Sequence, residues 1–451
     1  MNENKMGVKP IPKLILGMSL PVIFSMLVQA MYNVVDSIFV ARVGEDSLTS
    51  VSLAFPVQLI VIAAFVGLST GVSSAISRKL GAKEHAMAVQ VAEHGVFIGI
   101  VLYIIVAIVG VIIAKTFFGN FTSNELIVSN AATYTNIVML FSFGIIMGQT
   151  ASGILQGTGD MIKPMLAQLL GAIINIILDP ILIFGLFGFT AMGVKGAAIA
   201  TVTAQIIAMV YIWVLLFNGK SLIKPNLKDF KLDGHIISQI LLVGIPTAIM
   251  QGLASVMLTV MNFILSSFGD SAIAVMGAYF RVQSMVFMPV FGLSIGTMPV
   301  IGYNFGAKNK ERMLKAIKFS ISLAIGFMSF CLLIFQLFAS QLLGMFSASE
   351  QMLEIGIPAF KTISLIFPLI AITIILSTSF QGLGKAYYSL MISAVRQLVV
   401  LLPAAYILST YNNIDFVWYA FIIAEIVGVI IAMTVFIDTY HKSVLGWEEI
   451  S

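Results

Sequence analysis

The sequence predicts an all-α polytopic membrane protein of twelve transmembrane helices in two pseudo-symmetric six-helix lobes. Three observations carry that prediction: the composition, the length of the apolar runs, and an internal repeat. Of 451 residues, 59% are hydrophobic and only 10% charged, with a mean hydropathy of +1.04. Soluble domains carry about 25% charged residues. A chain this apolar cannot cover a water-facing surface, so its solvent is a bilayer. The net charge of +4 is too small to mark a nucleic-acid binder, and the single cysteine, Cys331, rules out a disulfide framework within the chain. The basic opening "MNENKMGVKPIPK" leads into an apolar run without a small-residue cleavage pattern, which reads as an uncleaved first span.

Runs of about 20 apolar residues are long enough to cross a bilayer as helices. Twelve are placed at 14–40, 52–77, 94–114, 130–155, 163–184, 192–216, 239–268, 273–302, 319–340, 356–380, 388–410 and 416–437. Barrel strands would alternate polar and apolar residues, which these runs do not. Basic residues orient the spans. Eighteen lie on alternate loops and their edges, from Lys5, Lys9 and Lys13 through Arg78, Lys79, Lys83, Lys220 and Lys308 to Lys442, against four on the other side: Arg42, Lys115, Lys195 and Lys361. The positive-inside rule then puts both termini in the cytoplasm of a cell-membrane protein. The longest polar loop, "NGKSLIKPNLKDFKLDGH", falls near the middle. The expected division is a first lobe at 1–217, a linker at 218–238 and a second lobe at 239–451.

The halves repeat. "VGLSTG" at 66–71 answers "FGLSIG" at 291–296, "LGAK" at 80–83 answers "FGAK" at 305–308, and "LQGTGD" at 155–160 answers "FQGLGK" at 380–385. Each pair is displaced by 225 residues (66 to 291, 80 to 305, 155 to 380). Six spans per copy is an even number, so the repeat is parallel, about an axis along the membrane normal. Two such bundles imply a cleft that opens to each side in turn, which favours a transporter over a receptor or a membrane enzyme. "GLSTG" and "GLSIG" fit the GxSxG pattern of serine hydrolases, but they lie inside apolar spans without the strand-to-helix elbow that motif requires. They read as small-residue helix contacts. No metalloprotease HExxH and no P-loop occur.

Inside the first span, Gln29, Tyr32, Asn33 and Asp36 share one helix face. A carboxylate near the bilayer centre costs roughly 2.5–3.5 kcal/mol on insertion scales, so it marks a functional group with a partner to be found. Span five supplies one in "AIINIILDPILIFG": Asn175 and Asp179 share a face, and Pro180 leaves nearby carbonyls without their helical donor. Asp36 and Asp179 each lie about five residues, roughly 7 Å, below the outer end of their spans. Thr201, in the returning sixth span, reaches a similar level. Such a carboxylate pair titrates as a unit and can take up a proton. Alternatively, the oxygens of Asp36, Asn175, Asp179 and Thr201 can surround a hard cation such as sodium. Elsewhere, Arg396 of span eleven and Glu425 of span twelve differ in depth by about 6 Å, a gap an arginine can bridge as a structural ion pair. Arg281 stands in span eight. Gln29, Tyr32, Asn33 and Asp36, with Gln251 and Arg281, are the candidates to line a substrate path, and 25 methionines and 11% aromatics suit promiscuous binding of flat organic cations.

Taken in order, "LPVIFSMLVQAMYNVVDSIFV", "ISRKLGAK", "LQGTGDMIKP", "NIILDPILIFG" with "GVKGAAIAT", and the second-half "YNFGAK" and "FQGLGK" closely resemble the multidrug and toxic compound extrusion (MATE) family, in its DinF-like and MepA-like bacterial branch. The likeness covers essentially the whole chain. It implies a V-shaped, two-lobed fold and proton- or sodium-driven antiport of organic cations, with no cofactor beyond the coupling ion and no obligate protein partner. It also implies a coupling site in the first lobe at Asp36, Asn175, Asp179, Thr201 and Tyr134. Another branch carries acids in spans seven and ten; here span seven has Ile249, Met250 and Gln251 and span ten has no acid in its core, so second-lobe sodium binding is not implied. The alternative reading is a lipid-linked oligosaccharide flippase, whose cleft would need to be strongly basic.

Overall fold

A computed structural model of the protein describes residues 4–121, 124–218, 221–346 and 348–445. Among these residues every regular element is helical. In an apolar solvent each backbone N–H and C=O must be satisfied within its own segment, which helices achieve. Ten helices are long and apolar enough to span a membrane, and two bent pairs bring the total to twelve. In order they are Ile11–Val43, Glu45–Gly81, His85–Gly119, the pair Glu125–Leu140 and Phe143–Gly157, Ile162–Phe184, Gly193–Asn218, Gly234–Leu265, Asp270–Gly306, Lys310–Gly344, the pair Glu350–Ser364 and Phe367–Gly382, Ala386–Ser409, and Ile414–Ser443. They are called spans 1 to 12 below. Most outrun the apolar cores read from sequence, because hydropathy marks the hydrocarbon-facing part while polar side chains cap the helices beyond it. Asn124 accepts from Leu126 N–H at 3.0 Å, Ser349 from Met352 N–H at 3.2 Å and Asn309 from Arg312 N–H at 3.0 Å.

The repeat extends to the helix ends. Glu45–Gly81 recurs as Asp270–Gly306, both ends displaced by 225 (45 to 270, 81 to 306), and the capping Asn124 recurs as Ser349 (124 to 349). The break in span 4 bends by 44° and that in span 10 by 51°. Left-handed backbone recurs at the same step: Lys83 with Lys308, Gly159 with Gly384, and Phe187 with Asn412 (187 to 412). The glycines of the repeated motifs do the same work in both copies. A Cβ at Gly157 would lie 2.9 Å from the Ser73 carbonyl oxygen, and one at Gly382 would lie 2.9 Å from that of Met298 (73 to 298). Gly153 likewise faces the Ser69 carbonyl at 2.6 Å. The GxSxG-like stretches are therefore helix-crossing points, as small residues in membrane helices commonly are.

Packing divides the chain into two compact units, Leu20–Ala248 and Met1–Ser19 with Ile249–Ser451. The changeovers fall inside span 1 and inside span 7. This packing division differs from the expected one at the 218–238 linker, of which Gly219 and Lys220 lie outside the described residues; so do residues 1–3 and 446–451 at the outer ends of the expected lobes. The first half of span 7 packs into the Leu20–Ala248 unit, where Gly67 and Gly71 meet the backbones of Gly244 and Ile240 with no room for a Cβ. In the other unit, Gly296 of span 8 meets the start of span 1, and its Cβ would fall 2.5 Å from Ser19 Oγ. A hydropathy profile cannot reveal which bundle half a helix joins.

Gly71→Leu should separate these backbones, at a cost of at least the 1–3 kcal/mol typical of overpacking. It should lower the melting temperature in detergent, whereas Gly326→Ala, at a position with nothing near its Cβ, should leave it unchanged or raise it slightly.

Candidate functional site

Within the Leu20–Ala248 unit, spans 1, 2, 4, 5 and 6 bring together most of the residues expected to act as one group. Span 5 carries Asn175, 3% exposed, and Asp179, fully buried. One turn apart on that helix, they touch: Asn175 Nδ2 donates to Asp179 Oδ1 at 3.3 Å. The same amide lies 3.5 Å from Thr201 Oγ1 of span 6. That approach depends on Gly196, whose missing side chain admits the Leu182 carbonyl and seats span 6 against span 5. Gly185, with φ of 74°, ends span 5, and Met192 N–H donates back to Leu182 O at 3.0 Å, which closes the turn between them.

Span 1 supplies Asp36 and, one turn earlier, Tyr32. The carboxyl groups of Asp36 and Asp179 stand within hydrogen-bonding reach of one another. Tyr134 of span 4, 4% exposed, adjoins Asp36, and Gln58 of span 2 reaches the Tyr134 hydroxyl. Gln58 was not singled out from the sequence; its one signal was an amide interrupting the apolar run of span 2. Three buried oxygens of this cluster, Asp36 Oδ1, Asp179 Oδ2 and Asn175 Oδ1, have no hydrogen-bond donor among the described residues. Two unit negative charges about 4 Å apart repel by about 4 kcal/mol at an effective dielectric constant of about 20. A proton or a hard metal cation between them removes that repulsion, and the orphaned oxygens form a donor set that suits either. Among the described residues no three His, Cys, Asp or Glu side chains gather as a metal site, so any metal ion here is held by carboxylate, amide and hydroxyl oxygen.

An apolar layer closes one side. Val40, Ile183 and Ala197 with Ala198 each lie about one turn from Asp36, Asp179 and Thr201 respectively. With Ala54, Phe118, Ala131 and Tyr134 they form one buried cluster. The acids therefore sit beneath a hydrophobic plug at the Gly44 and Gly185 ends of their helices.

The remaining candidates lie elsewhere. Gln29 is exposed and its Oε1 accepts from Gln168 Nε2 at 2.8 Å, which ties span 1 to span 5. Asn33 is exposed. Gln251 and Arg281 belong to the other unit and are exposed. In that unit Arg396 and Glu425 form the expected ion pair, Nη1 to Oε2 at 2.5 Å, with Glu425 3% exposed at its side chain. Sequence reasoning missed the third member: Thr373 Oγ1 of span 10 donates to Glu425 Oε1 at 2.7 Å. Arg396 sits on a π-helical turn, Val395–Leu401, that runs into Pro403. A proline has no N–H to donate, and the turn is its local consequence.

Known proteins match the chain over most of its length. The family model for MatE matches residues 21–181 and 246–407, once in each half and in step with the repeat (21 to 246). The FAD transporter of Shewanella oneidensis is 26% identical over 396 residues, 88% of each chain. The multidrug export protein MepA of Staphylococcus aureus is 26% identical over 429 residues, 94% of this chain and 93% of its own. A solved MOP-superfamily transporter from Pyrococcus furiosus superposes with a TM-score of 0.90 at 29% identity, covering 97% of this chain and 98% of that one.

Arg396→Met should leave Glu425 uncompensated and cost about 3–5 kcal/mol, whereas Arg396→Met combined with Glu425→Leu should recover most of that loss. Thermal unfolding in detergent checks both.

Proposed function

The chain belongs to the MatE family of multidrug and toxic compound extrusion transporters, and from that premise we propose that it exports amphipathic, mostly cationic organic compounds as a secondary antiporter. It is a multi-pass membrane transporter. The finer reading places it in the cytoplasmic membrane with both termini inside, and couples export to entry of a proton or sodium ion at Asp36 and Asp179. The single observation that supports this coupling is the apposition of two carboxyl groups, with unpartnered buried oxygens, beneath an apolar layer in one unit.

The cycle follows from that chemistry. With the site open to the outside, an inorganic cation enters between Asp36 and Asp179, cancels their negative charge and draws the oxygens of spans 1 and 5 together. A cationic substrate then loses the electrostatic attraction that held it and leaves. With the site open to the inside, the cation departs, the negative charge returns, and a new organic cation binds. Each ligand must prefer a different state for the exchange to be coupled. Asn175 and Thr201 orient Asp179 through the shared amide, and Gln58 orients the Tyr134 hydroxyl toward Asp36. An acidic cluster of this kind disfavours a pyrophosphate-bearing lipid or dinucleotide, which argues against the flippase alternative and against a substrate like that named for the Shewanella relative.

Asp36→Asn and Asp179→Asn should each abolish efflux of a fluorescent cation from cells while the protein still reaches the membrane; full resistance in Asp36→Asn would refute the coupling role. In vesicles, pH and sodium gradients imposed separately should drive efflux under only one of the two, which identifies the ion. Lipid flipping or FAD transport in those vesicles without cation efflux would replace the drug-export reading.

A further inference from the structure

The segment between spans 6 and 7 is held down at residues the transport cycle above does not use. His94 of span 3 is 1% exposed, yet both ring nitrogens are engaged. Its Nδ1 lies 2.8 Å from the Gln90 carbonyl oxygen, so Nδ1 carries the hydrogen and donates. Its Nε2 accepts from the backbone N–H of Asp233 at 2.8 Å. That pattern requires a neutral imidazole with its proton on Nδ1. Next to it, Glu93 Oε1 accepts from the Asn226 backbone N–H at 3.0 Å. Phe230 packs on the His94 ring at 4.9 Å between centroids and stacks on Phe97 at 5.5 Å. Two backbone bonds and one ring thus fasten the segment to span 3.

Asp233 is also where span 7 begins. Its Oδ1 accepts from His235 N–H at 2.8 Å, which caps that helix. Span 7 then runs along span 2 at Gly71 and Gly67 before its second half joins the other unit. His94 therefore grips the N-cap of a helix shared by both units.

We propose that His94 is a proton-dependent positioning residue for span 7: neutral, it holds the Asp233 backbone, and protonated, it releases the segment at 221–233. Addition of a proton at Nε2 gives an imidazolium with a hydrogen on each nitrogen. The new N–H then opposes the Asp233 N–H, and that bond is lost with no donor–acceptor exchange to restore it. A cavity of about 360 Å³ lined by Gln90, Glu93, Lys231, Leu232, Asp233 and Gly234 borders the Asp233 side of the latch. On span 3, Glu93 is tied to Asn226; on the segment, Asp233 caps span 7 and Lys231 lines the cavity. On span 2, Lys79 pairs with Glu84 at 2.7 Å and Arg78 Nη1 meets the Ser74 hydroxyl. At the end of span 4, Asp160 pairs with Lys163 at 3.2 Å, and on span 7 His235 shares a hydrogen bond with Gln239. A cytoplasmic proton would thereby loosen the start of span 7 independently of the carboxyl pair at Asp36 and Asp179.

The test uses the full chain reconstituted in liposomes with the same pH on both faces, so that no gradient acts. Leu227, 48% exposed in the held segment, is replaced by cysteine (Leu227→Cys) in a Cys331→Ser background and carries a nitroxide label. Lowering the pH from about 8 to about 5.5, across the imidazole range, should raise the mobile fraction of the label reversibly. His94→Gln, whose amide oxygen still accepts from Asp233 N–H but does not titrate, should give a flat profile with the label immobilised. Glu93→Gln should keep the pH response. A wild-type label that does not respond to pH overturns the proposal even if His94→Gln fails to fold, and an unchanged response in His94→Gln overturns it equally.

Discussion

Asp36 and Asp179 face each other where little water can separate their charges, and the surrounding architecture answers that constraint. Span 5 turns back at Gly185, Gly196 lets span 6 come close, and Asn175 spends its amide on Asp179 and Thr201 together. The apolar layer of Val40, Ile183, Ala197 and Ala198 shuts the pair off on one side. Three buried oxygens remain without donors among the described residues. In most interiors such atoms are exceptions that need explaining; the proposed exchangeable cation would give each of them a partner.

The two halves share a skeleton and not a chemistry. Helix ends, breaks and left-handed turns recur at a step of 225 residues because glycine contacts and caps recur. The polar residues of the two buried clusters do not. Stepping by 225, Asp36 answers Met261, Tyr134 answers Ala359, Asn175 answers Val400 and Asp179 answers Ala404. Conversely, Arg396 answers Gly171 and Glu425 answers Ala200. One unit therefore buries acids that lack a base, and the other buries an acid already neutralised by arginine and held by a threonine. A neutralised pair has no call for an added cation. That difference supports the proposed coupling role for the first unit and a stabilising tie in the second.

Much of the site was legible beforehand. The depth of Asp36 and Asp179 in their spans, the shared face of Asn175 and Asp179, and a gap between Arg396 and Glu425 short enough for an arginine to bridge all follow from helical rise and periodicity, which are local properties. Gln58, Thr373 and His94 were not legible as partners. Each is a single polar residue within or beside an apolar run, and one sequence holds no signal for which neighbouring helix it will meet. Nor was the partner of Gln29 legible: its place on the polar stripe of span 1 suggested a substrate contact, and the fold also ties it to Gln168.

By itself the sequence determined the class, the number of spans, the repeat and the acids of the first half, because a bilayer imposes run length, charge asymmetry and helical period on the chain residue by residue. Only the tertiary structure decided that spans 1 and 7 each change bundle part-way along, that two distant carboxyl groups meet, and that a histidine grips the start of span 7. Those outcomes depend on which helix backbones can approach closely, and that is set by glycines on one span and carbonyls on another, far apart in the chain.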